Sequence, residues 1–238
     1  MPAGVWRADA LVGGPVRTVA SSHAPLDAEL PSGGWPLGAL IELLPAGGEA
    51  PVWPLLLPAL AAYQQVRGAM LALVNPPHEP FVPALAAGGI RPADVLWLTG
   101  ATPAAGLWLT EQALGCADVA AVLAWLPRAR TADLRRLQLA AARRGDGLLF
   151  VLRPVQAAAF ASPAPLRLQL DVAADGAGGA LGLRLRLLKR RGPALAEALS
   201  LPAQLPGLRA LLSAGAPVAP QVVSKGGDDV VVRLALAA

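Results

Sequence analysis

The 238-residue sequence predicts an α/β domain with a mostly parallel sheet covered by helices on both faces. Three observations lead there. Short runs that are almost entirely apolar recur between helical stretches, the pattern of strands buried on both faces. Apolar residues make up 55% of the chain and charged residues 15%, which excludes a disordered polypeptide and supplies the side chains for one sizeable core. After residue 165 the pattern changes to strict alternation, the mark of strands with one wet face.

Taken in order, Gly33-Gly34-Trp35-Pro36-Leu37-Gly38 is a turn cluster, and Ala39 to Leu44 reads as the first buried strand. A loop, Pro45 to Pro51, leads to a helix from Trp53 to Val66, confined by Pro54 and Pro58. Ala69 to Val74 is the second strand, closed by Asn75-Pro76-Pro77, and a short helix over Val82 to Ala87 precedes the third strand, Val95 to Leu98. A helix over Thr102 to Leu114, a strand over Val119 to Trp125, a helix over Ala132 to Arg144 capped by Thr131, and a strand over Leu148 to Leu152 continue the alternation. Leu166 to Leu170 and Leu181 to Leu187 then alternate and pair as an antiparallel hairpin across a turn at residues 175–179. Beyond about residue 203 the chain is broken by Pro and Gly, with a terminal strand over Val230 to Leu236.

Composition narrows the function classes. A single cysteine, Cys116, excludes a disulfide framework and a cysteine-built zinc site; it reads as a small buried hydrophobe. The two histidines, His23 and His78, have no nearby Cys or His partner and read as structural or exposed groups. The most apolar stretch, Val52 to Tyr63, is too short to span a bilayer and contains two prolines. The first residues lack a basic start followed by an apolar run, so a cytoplasmic setting is expected. Six dispersed tryptophans serve the core or contacts between proteins, with Trp6 and Trp35 as candidate partner anchors.

Charge is distributed unevenly. Residues 1–127 carry 4 basic and 9 acidic groups, residues 128–191 carry 13 and 4, and residues 192–238 carry 3 of each. A basic block on an acidic body suits a polyanion or an acidic protein surface. A solvated arginine-rich face accounts for the same numbers. Within the block, Arg135, Arg136 and Arg143 share one side of the helix opposite Leu134, Leu137 and Ala141. Arg167, Arg184 and Arg186 fall on the polar face of the hairpin, with Lys189, Arg190 and Arg191 beyond it. These nine residues are the candidate DNA-binding or partner-binding surface. Asp27 reads as a turn or capping residue and Glu42 as a hydrogen-bonding group at a strand end.

The turn after the first strand is where a phosphate-binding loop would lie. Such a loop needs inward amides, a lysine and a hydroxyl for magnesium. Pro45-Ala46-Gly47-Gly48-Glu49-Ala50-Pro51-Val52 has the place and two glycines but neither lysine nor hydroxyl. Pro51 removes a donor, and Glu49 adds a charge that repels phosphate. The expectation is a degenerate loop, with Pro45, Gly47, Gly48 and Pro51 as its remnant and no cofactor bound.

At this point the chain resembles a known group. Leu26-Asp27, the Gly33–Gly38 turn and Ala39-Leu40-Ile41-Glu42-Leu43 look like the entry into the RecA ATPase core. Val5-Trp6-Arg7-Ala8, Pro76-Pro77-His78, Glu111-Gln112-Ala113-Leu114, Ala124-Trp125-Leu126-Pro127, Leu134-Arg135-Arg136-Leu137-Gln138 and Leu187-Leu188-Lys189-Arg190-Arg191-Gly192 resemble the hallmarks of the ImuA family over roughly residues 5–200. The resemblance implies a RecA-like core at 31–202, a leader at 1–30 and a partner-binding tail at 203–238. Against the recombinase pattern, Pro51 stands at the Walker A lysine, Pro77 near the catalytic glutamate, and the strand Val119 to Trp125 lacks its terminal aspartate. Three losses together argue against phosphoryl transfer, so no enzymatic activity is expected.

The resemblance further implies an accessory role in SOS-induced translesion DNA synthesis. The implied partners are an ImuB-type homologue of Y-family polymerases, through it an error-prone C-family polymerase, and RecA itself. Direct binding of single-stranded DNA by the basic block is an alternative. So is cell-division inhibition, because SulA-type inhibitors share the degenerate RecA-like fold.

Overall fold

The computed structural model describes residues 16–46, 52–174, 181–192 and 197–202, together with the backbone of 232–236. First come β1 (Thr18–Val19), α1 (Ala24–Glu29), β2 (Trp35–Pro36) and β3 (Leu40–Pro45), with β1 and β2 pairing antiparallel. Then follow α2 (Trp53–Arg67), β4 (Met70–Val74), α3 (Val82–Ala87), β5 (Val95–Gly100), α4 (Pro103–Gly115), β6 (Val119–Trp125), α5 (Thr131–Arg144) and β7 (Leu148–Leu152). The last described strands are β8 (Leu166–Ala174), β9 (Leu181–Lys189), β10 (Leu199–Pro202) and β11 (Val232–Leu236).

Nine strands form one sheet in the order β10-β9-β8-β3-β7-β6-β4-β5-β11. From β3 through β8, and again at β11, the strands run parallel; β9 is antiparallel to both β8 and β10. The predicted class and the antiparallel hairpin are thus both present. The chain leaves β3 for β4, three places away, and β6 and β7 later fill the gap. That reversal leaves a crevice above the carboxyl ends of these strands, the usual ligand position in open α/β sheets.

Both faces of the parallel part of the sheet are covered, as the apolar runs require. Along β6, Ala121 and Leu123 pack into the cluster that contains α2, whereas Val122 and Ala124 pack with α4 and α5. Helix α2 runs through Pro58 rather than being confined by it. An interior proline costs roughly 3 kcal/mol. Burying Leu55, Leu56, Leu57 and Leu60, at about 1.5–3 kcal/mol each, outweighs that cost.

The turn before β3 is shaped by close approach. A side chain at Gly34 would collide with the Val19 carbonyl, and one at Gly38, whose φ is +67°, would lie 2.9 Å from the Gly145 Cα. Those two glycines let the turn lie directly on β1 and on the end of α5. The stretch read as a leader contributes to the same core, because Leu26 of α1 is fully buried. Trp35 is also fully buried, edge-on to Phe150 at 5.3 Å, so it is no partner anchor; Trp6 lies outside the described residues.

Three local readings change. Thr131 is the first residue of α5 rather than its cap; the Asp133 carboxylate accepts from the Arg130 amide at 2.8 Å and does the capping. Cys116 is exposed, because it follows α4 in the turn to β6. Strand β10, four residues at the sheet edge, has no counterpart in the sequence reading because it is too short to show a period. The turn at 175–179 lies outside the described residues. Among the described residues, no helix is long and apolar enough to cross a membrane.

Candidate functional site

A cavity of about 1490 Å³ opens over the carboxyl ends of the parallel strands. Five strand ends contribute: Pro45 from β3, Asn75-Pro76-Pro77 after β4, Gly100 to Thr102 at the end of β5, Trp125-Leu126-Pro127 at β6, and Leu152-Arg153 at β7. Trp53, at the start of α2, and Trp125 stand 6.2 Å apart at 46° and form an aromatic wall. Phe81 lies 71% exposed on the rim. Asn75 has a positive φ of 51°, and its Oδ1 accepts from the Gly100 amide at 2.7 Å, tying the ends of β4 and β5 together.

The chemistry of this lining differs from that of a phosphate site. Seven prolines line it, each without an amide donor. Where β4 and β6 end, the lining residues are Pro76, Pro77, Leu126 and Pro127. The acidic lining residues are Glu79 and Asp133, and Asp133 is engaged at the start of α5. Among the described residues, no group of three or more His, Cys, Asp and Glu is placed to hold a metal ion. Of the remnant loop, Pro45 closes β3, while Gly47, Gly48 and Pro51 lie outside the described residues.

Beneath one side of the crevice lies a buried charge network. Glu42 is fully buried within β3, not at a strand end. Its two carboxylate oxygens accept from Arg153 at 2.7 Å and from Arg167 at 2.5 Å. Arg167 is the partner of Glu42 in the β3–β8 register, so its side chain projects onto the same face. Its guanidinium also donates to the Ala157 carbonyl at 2.9 Å, holding the β7–β8 connection against the sheet. Arg167 therefore leaves the candidate binding surface. Alternation along β8 placed it on the outward face, but that face is covered here and Glu42 requires a cation. The network carries one surplus positive charge, and the Arg153 Nε is buried without a partner.

The remaining predicted cations divide. On α5, Arg135 and Arg143 are exposed, and Arg136 pairs with Glu111 of α4 at 2.8 Å while staying largely exposed. On β9, Arg184 and Arg186 are exposed because Leu183, Leu185 and Leu187 turn into the core. Lys189 donates to the Ser162 carbonyl at 2.9 Å. Arg190 is mostly buried and pairs with Glu29 of α1 at 2.7 Å, so it clamps the amino-terminal segment; Arg191 is exposed. Leu40 and Val122 pack with α5, so the bare face of β9 and helix α5 lie on the same side of the sheet.

Sequence reasoning did not single out Arg144, whose guanidinium holds the end of α4. It donates to the carbonyls of Leu114 (3.0 Å), Cys116, Ala117 (3.1 Å) and Val119 (2.6 Å), and to Asp146 at 3.1 Å. A cation at a helix carboxyl end satisfies carbonyls that have no partner within the helix. Asp146 also pairs with Arg67 at 2.8 Å. Burial disfavours its charge, but Arg67 and Arg144 together outweigh that and hold the carboxyl below its ordinary value. His23, as read, is structural: its Nε2 lies 3.2 Å from the Pro54 carbonyl, joining α1 to α2. Asp27 has the expected turn role, its Oδ1 accepting from the Ser21 amide at 2.7 Å.

No family model matches the chain. A KaiC-like protein from the hyperthermophilic archaeon Pyrococcus horikoshii has a similar structure, with a TM-score of 0.54, 16% identity, and coverage of 79% of this chain and 94% of that one. That likeness supports a RecA-like fold. In sequence, the cell division inhibitor SulA of Edwardsiella piscicida is 31% identical over 129 residues, 54% of this chain and 77% of that protein. With that identity across most of the relative, on a RecA-like fold, the chain belongs to the SulA family.

Proposed function

We propose that the protein is a non-catalytic RecA-like accessory factor of SOS-induced translesion DNA synthesis, working in the cytoplasm. In this reading it recruits or stabilises an ImuB-type homologue of Y-family polymerases, and through it an error-prone C-family polymerase, with RecA as a further partner. One observation carries the non-catalytic part: the crevice above β3, β4, β6 and β7 is walled by prolines and tryptophans where phosphoryl transfer needs charge. A fold built this way keeps a rigid surface for protein contacts without turnover. The motifs running from Val5 to Gly192 support the choice of pathway.

The test is a co-expression pull-down with the ImuB-type partner, using the full chain and a chain ending at Pro202. Retention of both places the contact on the body. Retention of the full chain alone places it on residues 203–238. Retention of neither removes the binary form of the proposal. Calorimetry with millimolar ATP checks the non-catalytic part, and measurable binding would count against it.

The match to SulA favours a second reading, inhibition of cell division. Overexpression in the host distinguishes the two: filamentation without DNA damage supports division inhibition, and normal division supports the accessory role. Direct binding of single-stranded DNA through Arg184 and Arg186 predicts an affinity that falls steeply with salt.

A further inference from the structure

We infer that the crevice at the carboxyl ends of the strands is a peptide-binding site, and that its ligand is a partner's segment with bulky apolar side chains flanked by aspartate or glutamate. The inference deepens the accessory-factor reading and rests on it in one respect, that the crevice is free of nucleotide. Its floor and wall suit apolar anchors. Trp53 and Trp125 stand 6.2 Å apart, and Phe81, 71% exposed, lines the same cavity. A phenylalanine left this open on the rim of a cavity of about 1490 Å³ is an apolar surface of the kind that binding interfaces bury.

Charge selects the flanks. Three arginines, Arg128, Arg130 and Arg153, line the crevice against two carboxylates, Glu79 and Asp133. Asp133 is engaged by the Arg130 amide. Arg153 reaches Glu42, but Glu42 is shared with Arg167, which leaves the surplus cation described above. Arg128 and Arg130 are exposed on the β6–α5 connection, at the mouth of the apolar floor. Apolar anchors ringed by arginine favour a partner with the complementary arrangement, in which carboxylates meet the rim as apolar side chains enter. A polynucleotide is the poorer fit: prolines remove the amide donors that would hold its phosphates.

The experiment uses the full chain and fluorescence anisotropy with a set of labelled 12-residue peptides. Each peptide has a Leu, Phe or Trp core, flanked by Asp/Glu, by Lys/Arg or by Ser. The acidic-flanked members are expected to bind at least about tenfold tighter than the basic-flanked ones. The double variant Arg128→Glu/Arg130→Glu is expected to abolish that preference, and Phe81→Ser to weaken binding whatever the flanks. Leu139→Ser on α5, away from the crevice, serves as the control and is expected to leave binding unchanged. Thermal unfolding confirms that each variant folds.

Binding that ignores the flanks, or that survives both crevice variants, would overturn the inference. So would preferential capture of a labelled oligothymidylate. If no peptide binds and ATP also does not bind, the peptide inference falls and the accessory reading stands. If no peptide binds and ATP does, both fall.

Discussion

The two rims of the sheet are built differently. At the amino rim, charges close on one another: Asp146 pairs with Arg67 and Arg144, Tyr63 donates to the Asp146 carbonyl at 2.5 Å, and Arg144 fastens the end of α4. At the carboxyl rim the ion network lies below the surface, on Glu42, and the surface itself is left to prolines, tryptophans and exposed arginines. Both rims are hollowed, the first over a cavity of about 890 Å³, but the first is lined by charges that fasten one another and the second by apolar groups. A polar group satisfied by its neighbours has little left to offer a ligand, whereas an open apolar recess edged with cations does.

The contrast is broken most severely at Glu42. Replacing it with leucine strands two guanidiniums in the interior, and the expected loss is about 3–5 kcal/mol in urea unfolding. Replacing the whole network with apolar residues (Glu42→Leu, Arg153→Leu, Arg167→Met) should recover most of that loss. A recovery of nothing would mean that the network also fixes the backbone of the β7–β8 connection. Next in size is Arg144→Ala, which frees carbonyls at the end of α4. About 2 kcal/mol is expected from the same measurement, with amide exchange fastest at residues 113–119.

A smaller effect separates the rims by pH. The Asp146 carboxyl is held below its unfolded value, so its contribution is present above the unfolded value and is lost as pH falls through the folded one. The pair is solvent-screened, so the loss on acidification amounts to less than about 1 kcal/mol. Asp146→Asn should flatten that part of the stability curve, measured by urea unfolding between neutral and acidic pH. The smallest effect belongs to Arg184→Glu/Arg186→Glu on the bare face of β9. Stability should move by no more than about 0.5 kcal/mol, because both side chains are exposed. Any loss of partner or DNA binding would then report on the surface alone.

Much of the fold was legible in the chain. The boundaries of α3, β6 and β7 match the sequence reading residue for residue, because each is a short apolar segment with a proline, glycine or charged residue within two positions of either end. Helix α2 is present where it was read, one residue longer; what local propensity does not register is that the leucines buried against the sheet offset the cost of Pro58. Strand β10 and the β1–β2 pair were invisible, being too short for any period.

The site was legible in part. The residue types at the ends of β4 and β6, Asn75-Pro76-Pro77 and Trp125-Leu126-Pro127, could be read directly, and they line the crevice. The role of Arg167 could not. One signal pointed to it: a glutamate within a fully buried strand, Glu42, demands a cation somewhere. Which arginine answers depends on the β3–β8 register, which pairs residues 125 positions apart.

By itself, then, the sequence determined the alternation of strands and helices, the two covered faces and the residue types at the strand ends, because burial and turn chemistry act locally along the chain. The tertiary structure decided which arginines turn inward, which tryptophans are buried, Trp35 and Trp97 among the described residues, and which two line the crevice. Those outcomes depend on what packs opposite each side chain, and that neighbour comes from a distant part of the chain.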